Sequence, residues 1–132
     1  LWQWSACDLA AALRDRRLSA AEAMDAVLAR VEACNPDLNA IVYPRFEAAR
    51  AEARVADAAL ARGEAVGPLH GVPVTIKENV DVAGQPTPNG IRDFESVIAP
   101  EDAPVVRNLR AAGAIVIGRT TTPEFSMRAS TD

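Results

Sequence analysis

One lysine stands out among the side chains that could do chemistry. Of 14 basic residues, 13 are arginine and only Lys77 is lysine. Arginine stays charged in a protein, whereas a lysine can lose its proton and act as a base. A coding bias towards arginine would account for the imbalance. On that simpler interpretation, Lys77 is a surface lysine that survives by chance. A chain that uses arginine almost everywhere else would keep a lysine, however, where it needs a proton acceptor.

A strand–helix–strand pattern surrounds this lysine. Alternating apolar residues over 72–76 predict a strand whose carboxyl end is Lys77. A helix over 103–112 follows, and the apolar run 114–117 predicts a strand buried on both faces. A crossover unit of this kind places its two strands parallel in one sheet. Because functional residues gather at the carboxyl ends of such strands, we expect Lys77 and residues 118–122 at one edge.

The first half of the chain is predicted to consist mainly of helices. Apolar spacing predicts helices over about 20–34 and 45–62. A capping box from Ser19 to Glu22 begins the first of them, and Pro36 is expected to end it, since proline disfavours a helical residue before it. The apolar stripes consist mainly of alanine, which buries little area. These helices therefore need a larger partner, either a sheet or a second copy of the protein.

These patterns predict an α/β fold in which N-terminal helices pack on part of a mixed, largely parallel sheet flanked by helices. We expect one domain over 1–132. Residues 1–66 form its helical packing region, and residues 67–132 begin its α/β core. A later helix is expected to take Asp102 as its N-cap, because an aspartate there precedes the apolar positions.

Composition narrows the class of protein. The 132 residues are 49% hydrophobic and 24% charged, with a formal net charge of −4, which is typical of a soluble globular protein. The net negative charge disfavours nucleic acid as a partner, and no apolar run approaches the roughly 18 residues that span a membrane. Two cysteines and one histidine give little support to a disulfide framework or a zinc site. The sequence does not begin with the basic segment and apolar run of a secretory signal, so we expect a cytoplasmic protein.

Several linked motifs resemble the amidase signature family. Residues 67–79 (GPLHGVPVTIKEN) are similar to the segment that carries the family's catalytic lysine. Residues 100–114 resemble the family's next helix, and residues 118–125 (GRTTTPEF) resemble the loop after its following strand. Thr121 stands where family members often have asparagine, which changes the detail of that loop. The dense match covers 67–132, about half of the chain.

The resemblance implies an enzyme that hydrolyses a carboxylic amide through a serine acyl-enzyme, using a Ser–cis-Ser–Lys triad. Lys77 matches the triad lysine, which acts as the base. A lysine base must be neutral near pH 7, and burial at a strand end favours that state. The resemblance also implies that the backbone around Ser126 and Met127 lines the acyl side of the site. A helix start with Met127 in the core is an equally good interpretation of those residues.

The two triad serines of the family lie further along the chain, and the nucleophile lies inside a Gly-Ser-rich segment that is not found within 1–132. The sequence is therefore expected to be an N-terminal portion of an amidase that is inactive by itself. The implied partners are a small-molecule amide and the remainder of the amidase chain, with a possible homodimer through the helical half. No metal, cofactor, nucleic acid or membrane is implied.

Two alternatives stay open. The chain could belong to the amidase-like component of a tRNA-dependent amidotransferase, which shares the active site but needs a partner protein. It could also be a non-catalytic interaction module. Activity that depends on tRNA would favour the first alternative, and a downstream Gly-Ser-rich segment would exclude the second.

Polar neighbours of the lysine are predicted to have positional roles. Glu78 and Asn79 would orient the lysine or hold the loop that follows it. Thr122 and Pro123 are typical of a helix cap and a first helical residue. His70 is interpreted as a turn residue that hydrogen-bonds locally rather than as a catalytic group.

Overall fold

The computed structural model describes residues 1–131, which form helices on both faces of a small sheet. The helices of this part of the chain are α1 (Ala6–Arg14), α2 (Ala20–Leu38), α3 (Phe46–Ala61) and α4 (Pro104–Ala111). The strands are β1 (Ile41–Pro44), β2 (Pro73–Lys77) and β3 (Ile115–Thr120), and short 3₁₀ turns lie at Arg92–Phe94 and Glu124–Ser126.

The three strands form one mixed sheet in the order β1-β3-β2. β3 is parallel to β2, as the strand–helix–strand pattern predicts, and antiparallel to β1. In the parallel pair Lys77 lies opposite Thr120, so the carboxyl ends of β2 and β3 meet at one edge of the sheet. The predicted α/β fold is therefore confirmed, with one parallel and one antiparallel pair of strands among the residues described.

Two hydrophobic cores hold the layers together. The larger lies between α1, α2, α3 and one face of the sheet, and it contains Leu13, Met24, Leu28, Ala49, Ala53, Ile115 and Ile117. The smaller lies under α4 on the other face, where Val106 packs with Ile76, Val82 and Val116. Neighbouring side chains of β3 thus enter opposite cores, which explains its continuous apolar run. Within 1–131, no helix has both the length and the hydropathy to cross a membrane.

The start of α2 is held by two sets of hydrogen bonds. The predicted capping box is present: the Ser19 hydroxyl accepts from the Glu22 N–H at 3.1 Å, and the Glu22 carboxylate accepts from the Ser19 N–H at 2.9 Å. Asp57 of α3 also accepts from the N–H groups of Ala20 and Ala21, at 2.6 and 3.0 Å. This carboxylate satisfies free donors of α2 and joins the two helices.

The predicted end of α2 at Pro36 is wrong, because the helix continues to Leu38. Pro36 lies in the last turn, where its missing N–H removes a single helical hydrogen bond. The Asn35 side chain also holds the next strand, donating to the Ile41 carbonyl at 2.9 Å and accepting from its N–H at 2.8 Å. The helix ends at Asn39, whose left-handed backbone (φ 48°) turns the chain towards β1.

The predicted capping of α4 by Asp102 is also wrong. Ala103 is the N-cap, and no side chain caps the helix. The Asp102 carboxylate instead accepts from the Ala83 N–H at 2.8 Å and pairs with Arg110 at 3.0 Å. Its oxygens therefore tie the loop after β2 to the last turn of α4, a partnership between distant parts of the chain.

Candidate active site

Lys77 is the last residue of β2, at the edge where β2 and β3 both end. Its carbonyl accepts from the Val80 N–H at 3.0 Å, which begins a tight turn directly after the strand. The predicted position at a strand end is confirmed. The expected burial is not found, because the Lys77 side chain is exposed among the described residues. The sheet thus positions the lysine but does not remove it from water.

A buried arginine holds the chain that follows this lysine. Arg119 of β3 is fully buried, and its Nη2 donates to the carbonyls of Glu78 and Val80 at 2.6 and 2.8 Å. Its Nη1 donates to the carbonyl of Pro86. Burial lowers the pKa of Arg119, and the nearby carboxylates of Glu78 and Asp81 oppose that shift. The planar guanidinium carries five N–H donors in a fixed fork, which suits it to bind three carbonyls at once.

Glu78 links the two loops at this edge of the sheet. Its N–H donates to the Thr120 carbonyl at 2.9 Å, which extends the β2–β3 pairing by one residue. Its buried carboxylate accepts from the Thr122 N–H at 3.0 Å. Glu78 therefore holds a loop, but that loop is the one after β3 rather than the predicted one that follows the lysine.

A second set of contacts brings Ser126 to the lysine loop. The Asn79 Nδ2 donates to the Ser126 hydroxyl at 2.8 Å, and the Thr122 hydroxyl lies 3.0 Å from the same oxygen. The helix expected after Pro123 is not formed within 1–131, where Glu124–Ser126 make only a 3₁₀ turn. Met127 is 82% exposed, so it does not fill a core among the described residues.

Comparison with known proteins identifies the family of this chain. The model of the amidase family matches residues 22–132. The chain belongs to the amidase family. Its resemblance to the amidase signature enzymes is thereby confirmed.

The chain is similar to proteins with several different names. It is 55% identical over 132 residues to an indoleacetamide hydrolase of Bradyrhizobium diazoefficiens, covering 100% of this chain and 25% of that protein. It is 41% identical over 128 residues to a glutamyl-tRNA(Gln) amidotransferase subunit of Acidothermus cellulolyticus, covering 97% and 25%. A bacterial aryl acylamidase structure of the amidase signature family superposes with a TM-score of 0.87 at 26% identity, covering 98% and 27%. The chain thus spans about a quarter of the length of these relatives.

A cleft of about 190 Å³ lies next to the loops that Arg119 and Glu78 hold. Its lining includes Tyr43, Glu78, Arg92, Glu95 and Thr122. Burial raises the pKa of the Tyr43 phenol, and the carboxylates of Glu95 and Glu78 raise it further. The phenol therefore stays neutral and able to donate a hydrogen bond at physiological pH.

His70 lies before the start of β2, at the end of that strand opposite Lys77. Its Nε2 is 2.9 Å from the carbonyl oxygen of Ala56 in α3. The prediction of a turn residue with a local hydrogen bond is confirmed for the backbone, since the His70 N–H donates to the Gly67 carbonyl at 3.2 Å. The side chain instead ties the segment before β2 to α3. In the described part of the amidase, no three His, Cys, Asp or Glu side chains come together as a possible metal site.

Arg119 organises the site, although the sequence patterns did not single it out. A signal was present: Arg119 follows a continuous apolar run, so its side chain begins in a buried strand. A charged residue in that position needs partners inside the protein. Its partners, the carbonyls of a loop some forty residues earlier, could not be identified before the fold was known.

Proposed function

We propose that this chain forms the N-terminal part of an amidase that hydrolyses a carboxylic amide through a serine acyl-enzyme. Lys77 is the base of its Ser–cis-Ser–Lys triad. One observation carries the proposal: in a chain of the amidase family, the sole lysine stands at the carboxyl end of β2, beside the loop of the adjacent strand. Residues 1–66 pack their helices against the sheet and contribute β1 to it, and residues 67–132 begin the catalytic core.

In the proposed reaction, neutral Lys77 accepts a proton from a bridging serine, which accepts one from the nucleophilic serine. The nucleophile attacks the amide carbonyl, and the proton returns through the same groups to the leaving amine. Water then hydrolyses the acyl-enzyme. Both serines are supplied by the remainder of the enzyme, and the backbone of Ser126 and Met127 lines the acyl side of the site.

The exposure of Lys77 is consistent with a site that this chain begins and the remainder of the enzyme completes. Covering a lysine with protein removes water from its charged form and so favours the neutral form that a base needs. The remainder of the enzyme would cover the edge of the sheet and supply this desolvation together with the serines.

The substrate that we propose for the first assay is a primary amide of an arylacetic acid. Its support is the 55% identity to an indoleacetamide hydrolase. A second candidate function, transfer of ammonia to an acylated tRNA, is supported by the 41% identity to the glutamyl-tRNA(Gln) amidotransferase component. The two functions differ in one observable property, since a hydrolase releases ammonia from its amide without tRNA or a partner protein.

The test compares the full-length enzyme that contains this chain with its Lys77→Ala and Lys77→Arg variants, measuring ammonia released from indoleacetamide. Both variants should lose turnover, because arginine keeps the positive charge but cannot accept the proton. Arg54→Lys on the exposed face of α3 is the matched control and should retain full activity. Substantial activity in Lys77→Arg would rule out the role of Lys77 as a base.

A further inference from the structure

The hydroxyl of Ser126 joins the two loops that leave the sheet at the site. Asn79, two residues after Lys77, donates its Nδ2–H to this oxygen at 2.8 Å. The hydroxyl of Thr122, in the loop after β3, lies 3.0 Å from the same oxygen. A serine hydroxyl can accept one hydrogen bond and donate another at once, so both contacts can form together.

The backbone at Ser126 is in a conformation that needs such support. Phe125 and Ser126 both have left-handed backbones, with φ of 48° and 59°. Side chains with a Cβ disfavour this region, and two such residues in succession are unusual. The Phe125 N–H donates to the Asn89 carbonyl at 2.8 Å, which holds one side of the segment. The Asn79 side chain holds the other.

The Asn79 amide is held in place at a cost. Its Oδ1 is buried and finds no hydrogen-bond partner within residues 1–131. A buried acceptor without a partner is unfavourable, and the hydrogen bond that the same amide makes through Nδ2 offsets part of that cost. The orientation is explained by the bond from its Nδ2 to Ser126.

We propose that Asn79 is a positioning residue that holds the Ser126–Met127 backbone where it contacts the acyl group of the substrate. The proposal rests on the proposed function, in which that backbone lines the acyl side. Asn79 acts through the Ser126 hydroxyl and takes no part in proton transfer, although it is only two residues from Lys77.

This role predicts a specific kinetic pattern in the full-length enzyme. Asn79→Ala should raise KM for indoleacetamide by about tenfold and leave kcat within about twofold, because one net hydrogen bond that positions the substrate contact is lost. Asn79→Asp should restore most of the affinity, since the Ser126 hydroxyl can donate to a carboxylate. Asn108→Ala on the exposed surface of α4 is the matched control and should change neither constant.

A double-mutant cycle separates action through Ser126 from a general loosening of the fold. If Asn79 acts through that hydroxyl, Ser126→Ala should raise KM similarly, and the double variant should be no worse than either single one. Additive effects, or a fall in kcat at unchanged KM, would overturn the proposal.

Amide hydrogen exchange supplies a readout that does not depend on activity. Exchange of the 125–127 backbone should quicken in Asn79→Ala and stay at the wild-type rate in Asn108→Ala. Unchanged exchange in Asn79→Ala would refute the positioning role. Wild-type enzyme that releases no ammonia from amides would refute the proposed function instead, and exchange would still decide whether Asn79 holds the segment.

Discussion

The guanidinium of Arg119 lies 2.6 Å from the carbonyl oxygen of Glu78, the residue that directly follows Lys77. This bond connects the central strand of the sheet to the path that the chain takes after the lysine. Because the same side chain also donates to the carbonyls of Val80 and Pro86, one buried cation determines the shape of the whole turn. The position of Lys77, the proposed base, is thus determined by its own strand β2 and by Arg119 of β3.

Replacing this cation should destabilise the enzyme strongly. Arg119→Met leaves three loop carbonyls without their donors, and we expect a loss of about 3 kcal/mol in the free energy of unfolding. Urea denaturation of the full-length enzyme measures it. Arg107→Met is the control: Arg107 is exposed and pairs with Glu101 at 3.3 Å, so its loss should cost less than about 1 kcal/mol. Equal effects of the two variants would contradict the role given to Arg119.

A glycine before β2 should not tolerate a methyl group. A Cβ on Gly67 would lie 2.5 Å from the carbonyl carbon of Ala112, whose oxygen already accepts from the Leu69 N–H at 2.8 Å. Gly67→Ala should therefore lower the free energy of unfolding by about 1–3 kcal/mol through overpacking of backbone. At Gly63 a Cβ would meet nothing within 4 Å, and only its left-handed backbone (φ 73°) opposes alanine. Gly63→Ala should cost about 1 kcal/mol, and a larger loss there than at Gly67 would refute the packing argument.

The histidine should matter for stability and not for catalysis. His70→Ala removes the contact to the Ala56 carbonyl and should lower the free energy of unfolding by about 1 kcal/mol. Since β2 separates His70 from Lys77, kcat for indoleacetamide should be unchanged. Steady-state kinetics at a temperature where both proteins are folded provide the check. A loss of kcat by a hundredfold or more would instead place His70 in the reaction.

The capping box should make the folding stability depend on pH in the acid range. Hydrogen bonds from the Ser19 backbone N–H and hydroxyl lower the pKa of the Glu22 carboxyl from its ordinary value of 4.5. A carboxyl whose pKa is lower in the folded state stabilises it above the unfolded-state pKa, and this contribution is lost as pH falls through the folded-state pKa. Wild-type enzyme should therefore lose more stability than Glu22→Gln between neutral pH and the acid range. Parallel curves of unfolding midpoint against pH for the two proteins would contradict this linkage.

Local signals in the sequence predicted the features that depend on neighbouring residues. The Ser19–Glu22 capping box follows from a three-residue spacing, and the strand that ends at Lys77 follows from alternation. The parallel pairing of β2 with β3 follows from the helix between them. The same local reasoning wrongly predicted that α2 ends at Pro36. The helix continues to Leu38, and the left-handed Asn39 and the hydrogen bond between Asn35 and Ile41 hold the chain beyond the proline.

The sequence by itself determined the family, the strand-end position of Lys77 and the alternation of helices and strands, since each depends on residue type and short spacing. Only the tertiary structure decided which side chains meet across loops: Arg119 with the carbonyls after Lys77, and Asn79 with Ser126, 47 residues later. Such partners are selected by the packing of the whole sheet, which brings together residues that no periodicity relates.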